Sequence, residues 1–373
     1  MRTSLVERLY RKLGRIILRS VSPFLPRRVV QRRMEKLVVS IERGEVAVRS
    51  PNPVFYDVAF VERIRQNAYE QEWQPLKPLE TWWLADVQLH TSNGVIIIDD
   101  KKLLLESMLK PVEAKEAAYY RHYIPKHSVR LQGPCTTISA TFGHNYGHWF
   151  TDSLARLYII SQLQHETPLK LLVPDNLWPF QLRSLELCKP DNVCIEYVAA
   201  NSWVRVDRFL LPSFIRNRTN GYLPEEVLSF LREHILCGVS SSGDLSRKRI
   251  YLSRSGIPRR QVSNEADVMA CLSAFGFERY IPQDLSFDEQ VNLFRRAEIV
   301  VSPYGSGLTN TIFSDTIPVI EFKAMPPDDL FFWRLSQALG HQHYFVPATQ
   351  RNRLSDMTVD VRALEQQLHK TLD

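Results

Sequence analysis

The sequence predicts an α/β protein whose C-terminal part is a Rossmann-like nucleotide-binding unit. Short apolar runs typical of buried parallel strands alternate with helical segments from about residue 50 onward. One such run, Ile299–Val301, breaks into the small-residue loop Gly305–Gly307, and a second apolar strand follows and ends at Glu321. Strand, glycine loop, helix and strand in this order bring backbone N–H groups and a helix N-terminus against a phosphate.

In the N-terminal half, local signals predict a hairpin followed by alternating helices and strands. The turn Ser92-Asn93-Gly94 within alternating residues predicts paired strands over Leu84–Asp99. A long helix is predicted from about Tyr146 to Gln164. Three further strands are expected at Leu169–Pro174, Val193–Val198 and Arg208–Pro212, and one helix is expected at Trp178–Cys188.

The alternation restarts after the small polar segment Ser240–Asp244. Asn264 is expected to cap a helix, and Ser286 with Glu289 forms a capping box at the start of another. A helix is also expected to start near Leu308. The remaining expected strands are Arg249–Ser253, Phe277–Ile281 and His343–Val346, and the remaining helices are Leu330–Leu339 and Val361–Leu372.

Length and charge divide the chain into three segments. The 373 residues allow two domains of ordinary size, and 44% hydrophobic with 24% charged residues is typical of a folded globular protein. We predict a basic amphipathic segment at 1–45, an N-terminal α/β domain at 46–239 and a C-terminal Rossmann-like domain at 240–373.

The positive charge is concentrated at the N-terminus. Residues 1–36 contain eleven Lys and Arg and two Glu, a net charge of +9, whereas the whole chain carries +6. Leu5, Leu9 and Leu13 recur at helical spacing with arginines on the other face, and a second basic helical stretch is expected from about Val29 to Glu42. This pattern favours a peripheral membrane helix, at about 1 kcal/mol for each basic residue near an anionic surface. A helix packed on the protein body and a nucleic-acid-binding arm are the alternatives.

The cysteine pattern favours a reducing compartment. The five cysteines are scattered, and no Cys-x-x-Cys occurs, which argues against a cysteine zinc site. No apolar run approaches the roughly 20 residues that span a bilayer, and no signal-peptide core is recognisable.

The first group of chemistry-bearing residues lies on the predicted helix from Tyr146. His148, Asp152 and Arg156 are spaced four residues apart and share one face, with Asn145 three residues before His148. Asp152 could fix one tautomer of the His148 imidazole and make it a better base. The alternative is a buried polar network that joins the helix to the sheet.

The second and third groups follow strands of the C-terminal half. Arg254, Arg259 and Arg260 lie just past a strand end, where they could neutralise a diphosphate. The Gly305 loop could cradle it, and Glu321 could accept ribose hydroxyls. A solvated basic loop and a solvated strand terminus are the alternatives.

Other cofactor sites lack their signatures. A P-loop needs Gly-Lys-Ser/Thr, but Gly307 is followed by Leu308. A dinucleotide site needs a third glycine where Asn310 stands. His341 and His343 alternate without an evident third ligand, so no metal and no cofactor are expected.

Taken together, these motifs resemble those of the family 61 glycosyltransferases. The resemblance covers about Ser139 to Val346 and depends on the order of its motifs. Tyr304 stands where the family usually has His, and Ser306 where it often has Ala. The matching segments are Asn145 to Arg156, Arg254 to Glu265, Gly276-Phe277, Ser286 to Gln290, Tyr304 to Asn310, and Glu321.

The resemblance implies a GT-B fold, in which two Rossmann-like domains face a cleft. It also implies inverting transfer without an essential metal, with the donor nucleotide held by the C-terminal domain and the acceptor by the N-terminal one. The expected catalytic residues are His148 and Asp152, with Asn145, Trp149 and Arg156 on the acceptor side. The expected donor-binding residues are Arg254, Arg259, Arg260, Tyr304, Gly305, Ser306, Gly307, Leu308, Thr309, Asn310 and Glu321.

The function predicted from these residues is transfer of a sugar from a nucleotide-sugar, expected to be UDP-linked, to a capsule, lipopolysaccharide or other glycan or glycolipid acceptor. The enzyme is expected in the cytoplasm, peripheral on the inner membrane face, with no nucleic-acid partner. The alternatives are a GT-B-fold nucleotide-sugar epimerase or hydrolase and a non-catalytic sugar-nucleotide-binding scaffold.

Overall fold

The computed structural model describes residues 38–39, 79–98, 102–108, 128–163, 168–215, 221, 223–241, 243, 246–324 and 330–372. The predicted membrane-associating segment 1–45 lies outside these residues, apart from Val38–Val39. These two residues form a short strand, so the helix expected from Val29 to Glu42 does not run through them.

The first sheet has eight strands and mixed direction. Its order is β1-β4-β3-β2-β8-β5-β6-β7, and β5 to β8 are parallel to one another. The predicted hairpin consists of β2 and β3. Its strand β2 pairs antiparallel with β8 and so adds the hairpin to the edge of the parallel strands. The strands are β1 Val38–Val39, β2 Thr81–His90, β3 Ile96–Ile98, β4 Lys102–Leu104, β5 Val129–Thr136, β6 Leu169–Pro174, β7 Val193–Val198 and β8 Trp203–Pro212.

The second sheet has six strands in the order β10-β9-β11-β12-β13-β14, and only β14 is antiparallel. The chain runs from β9 to β10 on one side and then to β11 on the other. The strand order therefore reverses beside β9, and a doubly wound sheet binds ligands at the carboxyl ends of its strands there. The strands are β9 Lys248–Leu252, β10 Phe277–Tyr280, β11 Ala297–Pro303, β12 Pro318–Ala324, β13 Gln342–Gln350 and β14 Met357–Val359.

The helices agree closely with the sequence pattern. The first, α1, is composite: Tyr146–His148, a π-helical Trp149–Leu154 and Arg156–Ser161. The others are α2 Pro179–Cys188, α3 Glu225–Gly238, α4 Glu265–Ala274, α5 Phe287–Arg295, α6 Phe331–Ala338 and α7 Val361–Leu372. The 3-10 helices are Leu105–Ser107, Pro282–Asp284 and Ser306–Phe313.

Local signals explain most element boundaries, with two corrections. Ser286 accepts from the Glu289 N–H while Glu289 reaches back to Ser286, so the predicted capping box is confirmed. Asn264 does not cap α4, because its side chain instead pairs with the backbone of Val359. The helix expected from Leu308 is a 3-10 helix that begins two residues earlier, at Ser306.

One apolar core joins the two sheets. It includes Leu171 of β6, Val300 of β11, and three rings from α1, α5 and the 3-10 helix. The Phe150 ring lies 5.9 Å from Phe287 and 5.8 Å from Phe313, centre to centre. Each buried ring stabilises the fold by roughly 1.5–3 kcal/mol. The predicted boundary at residues 240–244 therefore separates the two sheets along the chain, but it does not divide the core.

Side-chain alternation fixes which face of the second sheet points toward that core. Val300 and Val319 pack in the shared core, whereas Val301 and Ile320 pack against α4 and α7 on the other face. Glu321 and Lys323 follow Val319 at intervals of two and therefore project from the core side. His343 is the register partner of Val319 and projects from the same side.

All five cysteines are free, but only Cys135 and Cys188 are buried, whereas Cys194 and Cys237 are exposed. Burial raises the pKa of the Cys135 thiol to about 11 and also raises that of Cys188. Both are therefore packing residues rather than nucleophiles.

Candidate functional site

The N-terminus of α1 is built by a side-chain cap. The Oδ1 atom of Asn145 accepts from the backbone N–H groups of Gly147 at 3.0 Å and His148 at 3.4 Å. This uses the capping preference of Asn to start the helix at Tyr146. Asn145, predicted on the acceptor side, is exposed and fixes the position of the His148 backbone.

The π-helical turn after this cap brings His148 and Asp152 together. The Ala155 N–H donates to the carbonyl of Phe150, five residues back. The Nδ1 atom of His148 lies 2.6 Å from Oδ2 of Asp152. Thr151 donates to the other carboxylate oxygen at 3.2 Å. Single π turns inside helices occur frequently at functional sites.

The pair has the geometry of an oriented base. The Asp152 side chain is fully buried, whereas that of His148 is 26% exposed. An Nδ1–H that donates to a carboxylate leaves Nε2 as the acceptor. Within the described part of the chain, Nε2 has no hydrogen-bond partner. The Phe142 and Phe331 rings lie 5.3 and 5.6 Å from the imidazole, centre to centre.

Two residues predicted on the acceptor side lie inside the fold. Trp149 is 3% exposed, and its indole N–H donates to Ser184 of α2 at 2.8 Å. Arg156 is 1% exposed and donates to the carbonyls of Ser139 at 3.2 Å and Pro212 at 2.6 Å. Burial lowers the pKa of Arg156 to about 9, and the charge of Asp152 opposes this. Arg156 therefore belongs to a buried polar network that joins α1 to the first sheet, whereas Trp149 joins α1 to α2.

The arginine loop follows β9 at the reversal of strand order. Arg254 donates from Nε to the carbonyl of Arg259 at 3.1 Å, which folds the loop back on itself. Arg260 has a positive φ of 58°, uncommon for a residue with a side chain and frequent at functional sites. No described carboxylate forms an ion pair with Arg254, Arg259 or Arg260.

The positive charges of Arg254, Arg259 and Arg260 repel one another, which lowers the pKa of Arg254. The pKa of Arg254 is lowered to about 10, first by burial and then by repulsion from Arg260 and Arg259. The negative charge of Asp356 acts in the opposite direction on the pKa of Arg254, but its effect is smaller than those of burial and of the two arginines. A cluster of cations without counter-ions is the electrostatic arrangement that favours a phosphate or another anion.

The glycine loop lies directly against the arginine loop. A Cβ added at Gly305 would collide with Nη1 of Arg254, so only glycine lets the guanidinium approach this backbone. Ser306 and Gly307 are half-buried, whereas Leu308, Thr309 and Asn310 are buried. Gly305 is buried as well, so Ser306 and Gly307 are the more accessible part of the loop from Gly305 to Asn310.

Asn310 links this loop to the helix that carries His148. Its Oδ1 accepts from the Tyr146 hydroxyl, and its Nδ2 donates to Gln290 of α5 at 2.8 Å. Thr309 lies against Gly147, where an added Cβ would be 3.0 Å from the Thr309 hydroxyl. The structure thus brings the glycine loop, the arginine loop and α1 together.

Glu321 is less accessible than predicted. It is 1% exposed, with Oε1 at 3.4 Å from the ammonium of Lys323 and Oε2 at 3.3 Å from Nε2 of His343. Lys323 in turn lies over the ring of Tyr304, 4.4 Å from its centre. The carboxylate predicted to bind a ribose therefore already has two partners, and neither was predicted from the sequence.

Within the described ranges, no group of three or more His, Cys, Asp or Glu residues is placed to hold a metal. No helix in the same ranges is long and apolar enough to cross a membrane.

The fold is mixed α/β with two sheets, and its site places three arginines without described carboxylate partners at the edge of the second sheet, with the oriented histidine on α1. Residues 146–328 match the family model described as Glycosyltransferase 61. The match covers just under half of the chain, and it supports a similarity of this part to glycosyltransferase family 61 and, with it, a glycosyltransferase activity. No curated protein matches the chain.

Proposed function

We propose that the protein is a GT-B, inverting glycosyltransferase that transfers a hexosyl or pentosyl group from a nucleotide-sugar, with UDP as the nucleotide. The acceptor is a surface polysaccharide or glycolipid hydroxyl, of the kind found in capsule or lipopolysaccharide. One observation supports this most strongly: the oriented pair His148–Asp152 is tied through Tyr146 and Asn310 to a loop that lies against unpaired arginines.

His148 is the proposed general base. Its Nε2 takes the proton of the acceptor hydroxyl while that oxygen attacks the anomeric carbon of the donor. Asp152 holds the ring through Nδ1 and stabilises the imidazolium that forms. In the same step the bond from the anomeric carbon to the phosphate oxygen breaks, and the nucleoside diphosphate leaves with the electron pair. A single displacement of this kind inverts the anomeric configuration.

The leaving diphosphate is stabilised by charge that is already in place. Arg254 and Arg259 bind its oxygens, and the backbone of residues 305–307 approaches it closely because Gly305 has no side chain. The unpaired cations make this stabilisation possible without a divalent ion. Asn310, Thr309 and Leu308 support the loop from inside the core.

The residues predicted on the acceptor side hold the helix that carries the base in place. Asn145 caps the helix that carries the base, whereas Trp149 and Arg156 hold that helix against α2 and the first sheet. The basic residues of segment 1–45 would keep the enzyme peripheral on the inner membrane face, where a lipid-linked acceptor is accessible.

Ligand-dependent thermal shift tests the donor site. Wild type, Arg254→Ala and the control Arg247→Ala are heated with nucleotides and nucleotide-sugars in EDTA. Arg247 is a matched control, because it is an exposed arginine paired with Asp315 at 3.6 Å, just before β9 begins. A ligand at a hundred times its Kd stabilises by about 2.7 kcal/mol. We expect UDP-linked ligands to stabilise wild type and Arg247→Ala but not Arg254→Ala.

The other outcomes separate the alternatives. Stabilisation by CMP- or GDP-linked donors alone would contradict the choice of UDP. Donor consumption without acceptor would identify an epimerase or a hydrolase. Donor binding without turnover on any acceptor would indicate a scaffold, and no response to any nucleotide would contradict the proposal.

A further inference from the structure

Lys323 is a buried cation next to the proposed donor site that the diphosphate contacts do not use. The residue is 7% exposed and follows Glu321 on the core side of β12. An ammonium has three N–H donors. Its Nζ makes no hydrogen bond within the described part of the chain, although it lies 3.4 Å from Oε1 of Glu321. A buried donor without an acceptor costs about 1–3 kcal/mol, so an unused ammonium here needs a reason.

The neighbours of Lys323 hold it in place without using its donors. Glu321 compensates its charge and is shared with Nε2 of His343 at 3.3 Å. The other ring nitrogen of His343 is 2.8 Å from the Ser336 hydroxyl of α6. Glu321, predicted to bind a ribose, is therefore better described as a positioning residue for Lys323.

Tyr304 brings a second cation to the same place. The Lys323 ammonium lies 4.4 Å from the centre of the Tyr304 ring, and the guanidinium carbon of Arg260 lies 4.6 Å from it. Cation–π attraction stabilises both placements. Arg260 reaches this position through its left-handed backbone conformation. Two cations thus flank one ring, next to Gly305 of the donor loop.

Arg260 has no described carboxylate partner, and Lys323 has N–H donors that its ion pair with Glu321 leaves unused, so both can bind an anionic group beyond the diphosphate. The diphosphate of a nucleotide-sugar carries two negative charges, which the proposed function assigns to Arg254, Arg259 and the loop backbone. We propose that the transferred sugar carries a carboxylate, as in a nucleotide-linked uronic acid, and that Lys323 and Arg260 around Tyr304 form its subsite. This inference rests on the proposed function, because it places the donor sugar beside that diphosphate.

Donor discrimination tests the subsite. Kd is measured by titration for UDP, UDP-glucose and UDP-glucuronate, which differ in the presence of a sugar and of its carboxylate. The variant Glu321→Gln/Lys323→Met removes both charges together, so no buried charge is left unpaired. The control Lys248→Met/Glu278→Gln removes an ion pair of 2.7 Å at the opposite end of β9 and β10. Thermal unfolding of each variant without ligand shows that it is folded.

We expect wild type and the control to bind UDP-glucuronate at least about tenfold more tightly than UDP-glucose, as one charge-assisted hydrogen bond provides. In Glu321→Gln/Lys323→Met the ratio falls to about one, while UDP affinity is unchanged. Equal affinities in wild type would overturn the subsite, as would an equal loss of all three ligands in the variant. The latter result would assign Lys323 to the diphosphate and leave the proposed function intact.

Absence of binding by all three ligands in wild type would contradict the proposed UDP donor and this subsite together. That result differs from failure of the subsite alone, in which UDP still binds.

Discussion

Two histidine–carboxylate pairs each contact α6, and they differ in their distances, in their exposure and in their other partners. On α1, His148 is 2.6 Å from Asp152, and its side chain is 26% exposed. Between β12 and β13, His343 is 3.3 Å from Glu321 and its side chain is fully buried. The second carboxylate is also shared with Lys323, whereas the first orients a single imidazole.

The same two residue types therefore serve different purposes. A base must exchange a proton with a substrate, which requires an accessible nitrogen and a fixed tautomer. His148 meets both conditions, and His343 does not meet the first. The buried pair instead compensates a cation and holds it over Tyr304. Sequence neighbours alone would not distinguish the two, because each histidine belongs to a motif that is rich in polar residues.

The largest effect should come from removing the exposed histidine. His148→Ala removes the proposed base and should lower kcat by about 10²–10⁴-fold. The variant also takes a partner from the buried Asp152 carboxylate, so thermal unfolding is measured to show that the loss of turnover exceeds any loss of folded protein. His343→Asn should do the reverse and lower the melting temperature, since it removes a buried partner of Glu321 and Ser336. Both variants are measured by turnover at saturating donor and by thermal unfolding.

A kcat for His148→Ala within about tenfold of wild type would assign the base elsewhere, with Asp152 as the next candidate. If His343→Asn lost as much turnover as His148→Ala without loss of stability, the conclusion that only the His148 pair takes part in catalysis would be wrong.

A smaller effect is expected from Asp152→Asn, which keeps the volume of the side chain. An amide can present an N–H to Nδ1 and so favour the tautomer in which Nε2 carries the proton. We expect kcat to fall by about 10²-fold while donor affinity stays the same. Thr151→Ala is the matched control, since it leaves the His148–Asp152 contact in place and removes the 3.2 Å hydrogen bonds of the Thr151 hydroxyl to the other carboxylate oxygen and to the Gly147 carbonyl. A drop in donor affinity equal to the drop in kcat would indicate a structural role for Asp152 instead.

The first pair was predictable from sequence, and the second was not. The spacing of His148 and Asp152 within one helix places them together whatever the rest of the chain does. Glu321, Lys323 and His343 meet only because β12 and β13 pair in a register that sets Val319 opposite His343. That register is a tertiary property. The available local signal was two charged residues, Glu321 and Lys323, at alternate positions of the otherwise apolar strand Pro318–Ala324, which is unusual for a buried parallel strand.

The fold shows the same division between local and long-range information. The capping box at Ser286 and the hairpin turn at Ser92-Asn93-Gly94 are encoded within a few residues and were predicted correctly. The π turn of α1 was not, because nothing in the spacing separates it from an ordinary helix. The strand Met357–Val359 was missed because it is short and pairs antiparallel at a sheet edge.

The donor side can be perturbed without touching either histidine. Gly305 has an extended backbone, with a φ of −179°, so Gly305→Ala introduces no backbone strain. Its Cβ would displace the end of the Arg254 side chain, with the guanidinium carbon only 3.3 Å away. We expect UDP to bind about tenfold more weakly, with stability changed by less than about 0.5 kcal/mol.

Gly307→Ala is the control for Gly305→Ala. Its Cβ would be 3.3 Å from Leu252 and Pro282, so it presses on apolar groups and leaves Arg254 in place. This variant should lose some stability but keep its affinity for UDP. Equal UDP affinity in Gly305→Ala and wild type would mean that the guanidinium position does not matter for binding.

The smallest effect is expected where helices from the two halves of the chain meet. Arg183 of α2 binds Asp288 of α5 through two hydrogen bonds, Nε to Oδ1 and Nη2 to Oδ2, each 3.0 Å long. The two side chains are 35% and 40% exposed, so solvent screens the pair. Asp288→Asn should therefore lower the free energy of unfolding by only about 0.2–1 kcal/mol, and added salt should reduce this difference further. Denaturant unfolding at low and high salt measures it.

A loss of several kcal/mol would contradict the view that the apolar core joins the two sheets. The Phe150, Phe287 and Phe313 rings meet in that core and do not depend on the ion pair. Because such burial is insensitive to salt while the pair is not, the salt dependence of Asp288→Asn separates the two contributions. A small effect that salt reduces would mean that packing holds α1, with His148, against the donor loop. The Arg183–Asp288 ion pair would then only orient α2 relative to α5.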